Sequence, residues 1–272
     1  MATAKELLDS GQLQAAIAAI TAEVKANPAD VPRRTFLFEL LCFAGEWDRA
    51  EKQIDVIGQQ SIQSAMAVQV YRANIQAERS RERLFDAGVA PHFLTEPPPY
   101  IDTCLEGIRK QKEGDMAGAR ALLDKAEEER PALAGRWNGK PFLDARDYND
   151  LVAPALELIV KDKYVWLPLD QVRSLKIEPP RKLRDLLWIP ARVEARDGTI
   201  GEVFLFALYA LSHRHSDDQV RLGRMTDWTD AGGGLYIGAG QRLFLVDEDE
   251  QPALEIRSIE LDLETATGSE RH

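Results

Sequence analysis

The chain has 272 residues, of which 44% are hydrophobic and 29% charged, the balance of an ordinary globular protein. Its net charge of −11 argues against non-specific binding to nucleic acid and gives no attraction to an anionic membrane surface. No stretch has the length and apolarity of a membrane span, and residues 1–9 carry charges where a signal peptide needs an apolar run. We therefore expect a cytoplasmic protein.

The first half of the chain contains a repeat. Gly11 and Gly45 lie 34 residues apart, and each is followed five residues later by an alanine. Gly114 begins a third copy 69 residues after Gly45, close to two more periods. A period of 34 residues is that of the tetratricopeptide repeat, in which a glycine permits the turn between two helices and a small residue lets them approach closely. The spacing predicts helical hairpins around all three glycines.

The repeat is interrupted in the middle. Residues 65–86 have the pattern of one long helix, and prolines at 97–99 follow before the third copy. We predict a TPR-like α-solenoid over residues 1–135, with a generic helical bundle as the alternative. The groove between stacked hairpins commonly holds a peptide or a helix, which favours a binding role over a catalytic one.

The second half has the pattern of strands, so the fold class predicted for the whole chain is α+β. We expect a smaller, mostly antiparallel β-rich domain over residues 136–264 and a disordered tail over residues 265–272. Residues 144–159 could form one short helix interrupted by Pro154. Strands are predicted for residues 163–169, 186–193, 201–206, 241–246 and 253–257.

Charge is unevenly distributed in the second half. Residues 171–196 contain seven basic and three acidic residues, whereas residues 247–264 contain eight acidic residues and one arginine. The basic segment could bind an acidic partner or form ion pairs with the acidic segment of the same domain. We favour the internal pairing, since solvated faces usually mix charges of both signs.

Few residues are candidates for chemistry. Cys42 and Cys104 are predicted to be buried thiols, with a single disulfide as the alternative. His213 and His215, with Asp217 nearby, could be read as metal ligands, but an exposed loop is the simpler interpretation. The glycines at 232–234 and 238–240 are explained better by two hairpin turns than by a phosphate-binding loop, because a strand and not a helix follows them. We predict no catalytic residue, no metal and no cofactor.

Residues 221–228 are dense in side chains that dominate binding at interfaces. Arg221 and Arg224 supply planar donors, and Trp228 supplies a large, partly polar surface. The alternative is an internal pair between arginine and Asp227 that Trp228 covers. The pattern leaves these two interpretations open.

Three segments together carry a family resemblance. Residues 183–191, 221–228 and 238–242 resemble the ImpE family, also called TagJ or SciE, and the resemblance extends over about residues 1–260. It implies an accessory protein of bacterial type VI secretion that binds the small contractile-sheath subunit TssB. It also implies a link to sheath recycling by the AAA+ ATPase ClpV, without enzymatic activity. Candidate partner-binding residues are the polar and aromatic side chains of the three segments: Arg184, Trp188, Arg221, Arg224, Asp227, Trp228, Gln241 and Arg242.

Two other functions stay open. The first is a generic TPR-type scaffold or co-chaperone with a different protein partner. The second is a metal-dependent enzyme that uses the loop of His213 and His215. A pocket in which both histidines converge with Asp217 would favour the enzyme, whereas a surface without a concavity there would speak against it.

Overall fold

The structure, a computed structural model, describes residues 2–60 and 62–262, except for the side chains of residues 62 and 63. Eight α-helices occur in these ranges, seven of them before the first long strand. They are α1 (Ala4–Asp9), α2 (Leu13–Ala26), α3 (Val31–Phe43), α4 (Trp47–Gly58), α5 (Ile62–Ala87), α6 (Pro99–Lys112), α7 (Met116–Glu129) and α8 (Asp218–Arg221). The order of helices and then strands confirms the predicted α+β class.

The predicted helical hairpins are present. Gly11, Gly45 and Gly114 form the turns between α1 and α2, α3 and α4, and α6 and α7, with φ angles of 78°, 67° and 84°. A side chain is strained in this left-handed region, so the turns require glycine. The alanine five residues after each glycine is fully buried. The 34-residue spacing therefore marks hairpins whose helices pack closely at the alanine.

The predicted interruption of the repeat is also present. α5 is a single helix from Ile62 to Ala87, and α6 begins at Pro99, where the missing N–H costs no helical hydrogen bond. Among the described helices, none is both long and apolar enough to cross a membrane. α5 is long, but it carries many charged side chains, and it lies between the solenoid hairpins and the strands.

The second half is built on a nine-stranded sheet with the order β1-β6-β5-β9-β8-β7-β14-β2-β3, in which only β1 and β6 pair in parallel. A hairpin of β10 and β11 and a three-stranded sheet, β13-β12-β4, lie beside it. The strands are β1 (His92–Phe93), β2 (Gly135–Trp137), β3 (Lys140–Phe142), β4 (Ala145–Asp147), β5 (Ala155–Val160), β6 (Lys163–Pro168), β7 (Val172–Ile177), β8 (Trp188–Ala195), β9 (Ile200–Phe206), β10 (Thr226–Gly232), β11 (Leu235–Gly240), β12 (Leu243–Val246), β13 (Asp249–Pro252) and β14 (Ser258–Leu261).

Two predicted elements are wrong. Residues 144–159 form β4 and most of β5 instead of a helix, because β5 lies between β6 and β9 and is buried on both faces. An apolar run of that kind cannot be distinguished from a buried helix by its periodicity. Residues 253–257 hold a 3₁₀ turn, with Ala253 and Ile256 buried at a spacing of three, and the strand begins at Ser258.

The two halves of the chain share one hydrophobic core. A single cluster of buried side chains joins residues from α1 to α7 with residues of β5, β6, β8 and β9. A second cluster lies wholly within the strand-rich half. The change from helix to strand falls between Glu129 and Gly135. The division into domains 1–135 and 136–264 stays a prediction, and the predicted tail, residues 265–272, lies outside the described residues.

Both cysteines are free and buried, as the simpler interpretation predicted. Cys42 lies in α3 and Cys104 in α6. Burial raises the pKa of both thiols, that of Cys104 to about 12, because the thiolate would be formed away from water. The thiols are therefore protonated at neutral pH and pack as small apolar groups.

Charges in the second half pair internally, but not with the expected partners. Arg173 pairs with Glu194 at 2.8 Å and Arg192 with Glu202 at 3.3 Å, each across neighbouring strands. Within the described residues, no side chain of 171–196 forms an ion pair with a side chain of 247–262. Strand pairing decides which residues form ion pairs. It places Glu194 of β8 near Arg173 of β7, and Glu202 of β9 opposite Arg192 of β8.

Candidate functional site

Arg184 and Trp188, two predicted partner-binding residues, join the strand-rich half to the solenoid. The Nε atom of Arg184 donates to the hydroxyl of Tyr71 at 2.5 Å, and its Nη1 donates to Glu39 at 2.6 Å. Burial raises the pKa of Glu39, and the nearby guanidinium opposes this effect. The Nε1 of Trp188 donates to Glu78 at 2.9 Å, with the indole ring fully buried. Both residues are therefore engaged inside the molecule.

Arg242 belongs to a buried ionic network that also connects the halves. Glu157 in β5 accepts hydrogen bonds from Arg81 of α5, two of them at 2.8 Å, as well as from Arg242 and the hydroxyl of Tyr164. Arg242 also donates to Asp147 at 3.0 Å. All of these groups are almost completely inaccessible to water. Arg242 is consequently a structural residue that cannot touch a partner in this conformation.

The network shifts the pKa values of Glu157 and Asp147 in opposite directions. Burial alone raises the pKa of Glu157, but the guanidinium groups of Arg81 and Arg242 outweigh burial and hold it below its usual range. Burial raises the pKa of Asp147 to about 6, and Arg242 offsets this only in part. Glu157 therefore stays ionised at neutral pH and supplies one negative charge between the two guanidinium groups.

The strand-rich half also docks on the turns of the solenoid. The imidazole of His213 covers Gly45, where an added Cβ would lie 2.3 Å from the ring. Gln219 covers Gly11 in the same way, at 1.7 Å. Burial, followed by the charges of nearby arginines, lowers the pKa of His213 to about 4, so its ring is neutral at pH 7. These glycines thus permit a turn and the close approach of a second element.

The two histidines of the predicted metal site have separate surroundings. His213 packs edge-on against Trp47, whereas His215 lies 3.1 Å from Asp227 and accepts a hydrogen bond from the backbone N–H of Asp217. A cavity of about 240 Å³ between the halves is lined by His215 but not by His213. Within residues 2–60 and 62–262, no group of three His, Cys, Asp or Glu residues could hold a metal ion. The geometry therefore gives no support to a metal-dependent enzyme.

The arginines of residues 221–228 bind backbone oxygens. Arg221 donates to the carbonyl of His215 and pairs with Asp218 at 3.2 Å. Arg224 donates to the carbonyls of Leu8 and Asp9, at 2.7 and 3.1 Å, and so caps the end of α1. These contacts favour the interpretation that the arginines are engaged inside the molecule. Their partners, however, are groups other than Asp227.

Trp228 is the aromatic residue of that segment and lies at the edge of an open groove. Its ring is half-buried and makes edge contacts with Tyr148 and Tyr209, with ring centroids 5.2 and 5.5 Å away. Gly238 lies beneath these rings in β11, so the glycines at 238–240 do not form the second predicted turn. An added Cβ at Gly238 would lie 2.7 Å from Tyr209, which explains the glycine. Gln241 contributes backbone hydrogen bonds, to Met225 and from Thr226.

A surface groove remains open where α1 and α3 meet the segment after β7. We call it the α1–α3 groove; its volume is about 530 Å³. Its apolar lining is Leu8, Phe36, Pro180, Leu183 and Leu186, and its rim is Lys5, Asp9, Arg181 and Lys182. Leu183 and Leu186 lie on the same 3₁₀ turn as Arg184, whose two hydrogen bonds to the solenoid hold the turn in place.

Sequence reasoning missed the residues that fasten the two halves. Tyr71, Glu78 and Arg81 recur at helical spacing along one face of α5, and Glu157 stands within the apolar run of β5. Polar groups on a face that should be apolar are a signal of buried pairing. Their partners could not be read from sequence, because they lie more than 70 residues further along the chain.

Both the sequence and the fold of this chain are similar to those of known proteins. Residues 139–260 match the family model described as ImpE protein. The chain is 38% identical over 261 residues to the type VI secretion system accessory component TagJ of Pseudomonas aeruginosa, covering 96% of this chain and 91% of that one. It is also similar to the crystal structure of a Vibrio parahaemolyticus protein, with a TM-score of 0.88, 25% identity and coverage of 97% and 98%. The chain therefore belongs to the ImpE family, in which the accessory component TagJ is its relative.

Proposed function

We propose that this protein is a non-catalytic adaptor of a type VI secretion system and binds a segment of the small sheath subunit, a TssB-like protein, in the α1–α3 groove. The family supports an accessory role in secretion. The observation that carries the choice of surface is the groove itself, an open apolar concavity bordered by two helices of the solenoid. The surface of α5 is less suitable for binding a partner, because the strand-rich half covers it.

The lining of the groove suits an amphipathic segment. Leu183, Leu186 and Phe36 are partly exposed and pack against the core from one side only. Each apolar side chain that a partner buries there contributes about 1.5–3 kcal/mol before the cost of association is subtracted. Two or three such anchors are the usual basis of helix-in-groove recognition. The charges on the rim would fix the register of the segment rather than supply most of the affinity.

Calorimetry with the purified cognate sheath subunit tests the proposal. We expect binding with a Kd in the micromolar range or tighter, and a loss of at least about tenfold in affinity for Leu183→Asp. Leu143→Asp is the matched control, because Leu143 is 78% exposed and lies between β3 and β4, outside the groove. Since Leu183 is half-buried, Lys182→Glu on the exposed rim provides a second variant that leaves the core intact. No binding at tens of micromolar would contradict the proposal.

The adaptor role extends to recycling of the contracted sheath by the AAA+ ATPase ClpV in the cytoplasm. A protein that holds the small subunit at one surface can present it to the ATPase from another. A pull-down from cells should therefore contain the sheath subunit and the ATPase. Recovery dominated by proteins outside secretion would instead favour a general scaffold.

A further inference from the structure

A second groove, lined by aromatic side chains, lies on the strand-rich half between β10, β11 and the small sheet β13-β12-β4. We call it the aromatic groove; its volume is about 530 Å³. It is lined by Arg146, Tyr148, Asp150, Trp228, Tyr236, Leu245 and Glu250. It shares no residue with the α1–α3 groove, so it constitutes a separate surface.

Strand register places the aromatic residues on one side of this groove. Trp228 and Asp230 alternate along β10 and therefore share a face, and Tyr236 stands directly opposite Asp230 on β11. Tyr236 is 52% exposed, which is unusual for a large aromatic ring. Gly238 is paired with Trp228 across the hairpin, and because it has no side chain, the indole ring can pack against the backbone there. The hairpin thus presents aromatic surface next to a carboxylate.

The other side of the groove is acidic. Arg146, Leu245 and Glu250 form one row across β4, β12 and β13. The charge of Arg146 is engaged by Asp150 at 2.9 Å. Glu250 is exposed, and it forms no ion pair with any residue in the described part of the chain, nor does Asp230. Two carboxylates therefore remain without a cation beside the open aromatic rings.

We propose that the aromatic groove binds an extended protein segment that carries arginine or lysine side chains. The π-faces of Tyr236 and Trp228 attract cations, and Glu250 and Asp230 supply the opposite charges. Among the described strands, β10 pairs with β11 alone and β13 with β12 alone, which leaves one backbone edge of each for an extended segment. Negative charge on both sides disfavours nucleic acid as the occupant. The adaptor would then hold two different protein segments at once.

Fluorescence anisotropy tests the proposal with a labelled peptide of about ten residues that has arginine at alternate positions, compared with one that has glutamate there. The full-length protein should bind the arginine peptide and not the glutamate peptide. Tyr236→Ala and Glu250→Lys should each weaken binding at least about fivefold. Tyr236 is half exposed and Glu250 lies on the surface, so neither substitution disturbs the core.

Glu202→Lys is the matched control, because Glu202 is also exposed but lies on β9, outside the groove. Equal binding of the arginine peptide by the wild type, Y236A and E250K would overturn the proposal, as would equal binding of the two peptides. Binding of the sheath subunit by Y236A should be unchanged. A failure of the aromatic groove is therefore distinguishable from a failure of the α1–α3 groove.

Discussion

Replacing Glu157 with glutamine should weaken the connection between the two halves of the molecule. Glu157 accepts hydrogen bonds from Arg81 of the solenoid and from Arg242 of the strand-rich half. Without its charge, the carboxylates that still pair with the two arginines in the described part of the chain are Glu78, 3.7 Å from Arg81, and Asp147, 3.0 Å from Arg242. Removing one partner of a buried ionic network costs about 3–5 kcal/mol, because the remaining charges are left uncompensated away from water.

A loss of that size is a large part of the total stability expected for a protein, about 5–15 kcal/mol. Urea unfolding followed by circular dichroism measures it at pH 7. Because the folded-state pKa of Glu157 lies below its unfolded value, the stabilisation is fully present above about pH 4.5 and is lost as the pH falls below it. The difference between Glu157→Gln and the wild type should therefore change little from about pH 7 to pH 8, which lies above the folded-state pKa of both Glu157 and Asp147.

Glu202→Gln is the control for this measurement, because Glu202 pairs with Arg192 at the exposed surface and should contribute less than about 1 kcal/mol. A destabilisation by Glu157→Gln as small as that of the control would refute the reasoning. The double variant Arg81→Met with Glu157→Met separates charge from packing. It should recover part of the loss, since apolar residues of similar volume can replace a buried ion pair.

Three further predictions concern the contacts between the halves. The wild type should lose stability between pH 6.5 and pH 4, because His213 binds a proton in the unfolded chain before it does so in the folded protein, where its pKa is about 4. His213→Phe should reduce this loss by up to about 3 kcal/mol, which urea unfolding across this pH range measures. Gly45→Ala should lower the Tm more than Gly114→Ala, because both turns have positive φ but only Gly45 lies under another side chain; equal shifts would contradict the docking. Trp188→Phe should cost about 1–3 kcal/mol in the same assay, because the buried Glu78 loses its N–H donor; an unchanged midpoint would speak against that bond.

Local chemistry explains how much of the fold could be predicted. The glycine turns, the buried alanines and the proline at the start of α6 depend on residues within one or two turns of helix, so their pattern is visible in the sequence. The sequence pattern predicts part of a helix where β5 forms, because the neighbours of β5, β6 and β9, bury both of its faces. Burial on both faces removes the alternation that marks a strand.

The candidate site was harder to predict, because burial decides which conspicuous side chains are available. Trp188 and Arg242 are residue types that often occur at protein–protein interfaces. In this structure both lie at the interface between the two halves of their own chain. Leu183 and Phe36 are ordinary apolar residues in the sequence and become a groove only when the segment after β7 lies beside α3. Trp228 lines the aromatic groove, and Arg224 and Asp227, which are also predicted site residues, lie at the exposed surface.

Site-specific photocrosslinking tests the central claim most directly. A photoreactive amino acid placed at Lys182, on the rim of the α1–α3 groove, should crosslink to the small sheath subunit in cells, and mass spectrometry should identify one segment of that subunit. The same amino acid at Leu143, which is exposed and remote from the groove residues in sequence, should give no such product. Crosslinking to the sheath subunit from Leu143 and not from Lys182 would contradict the account.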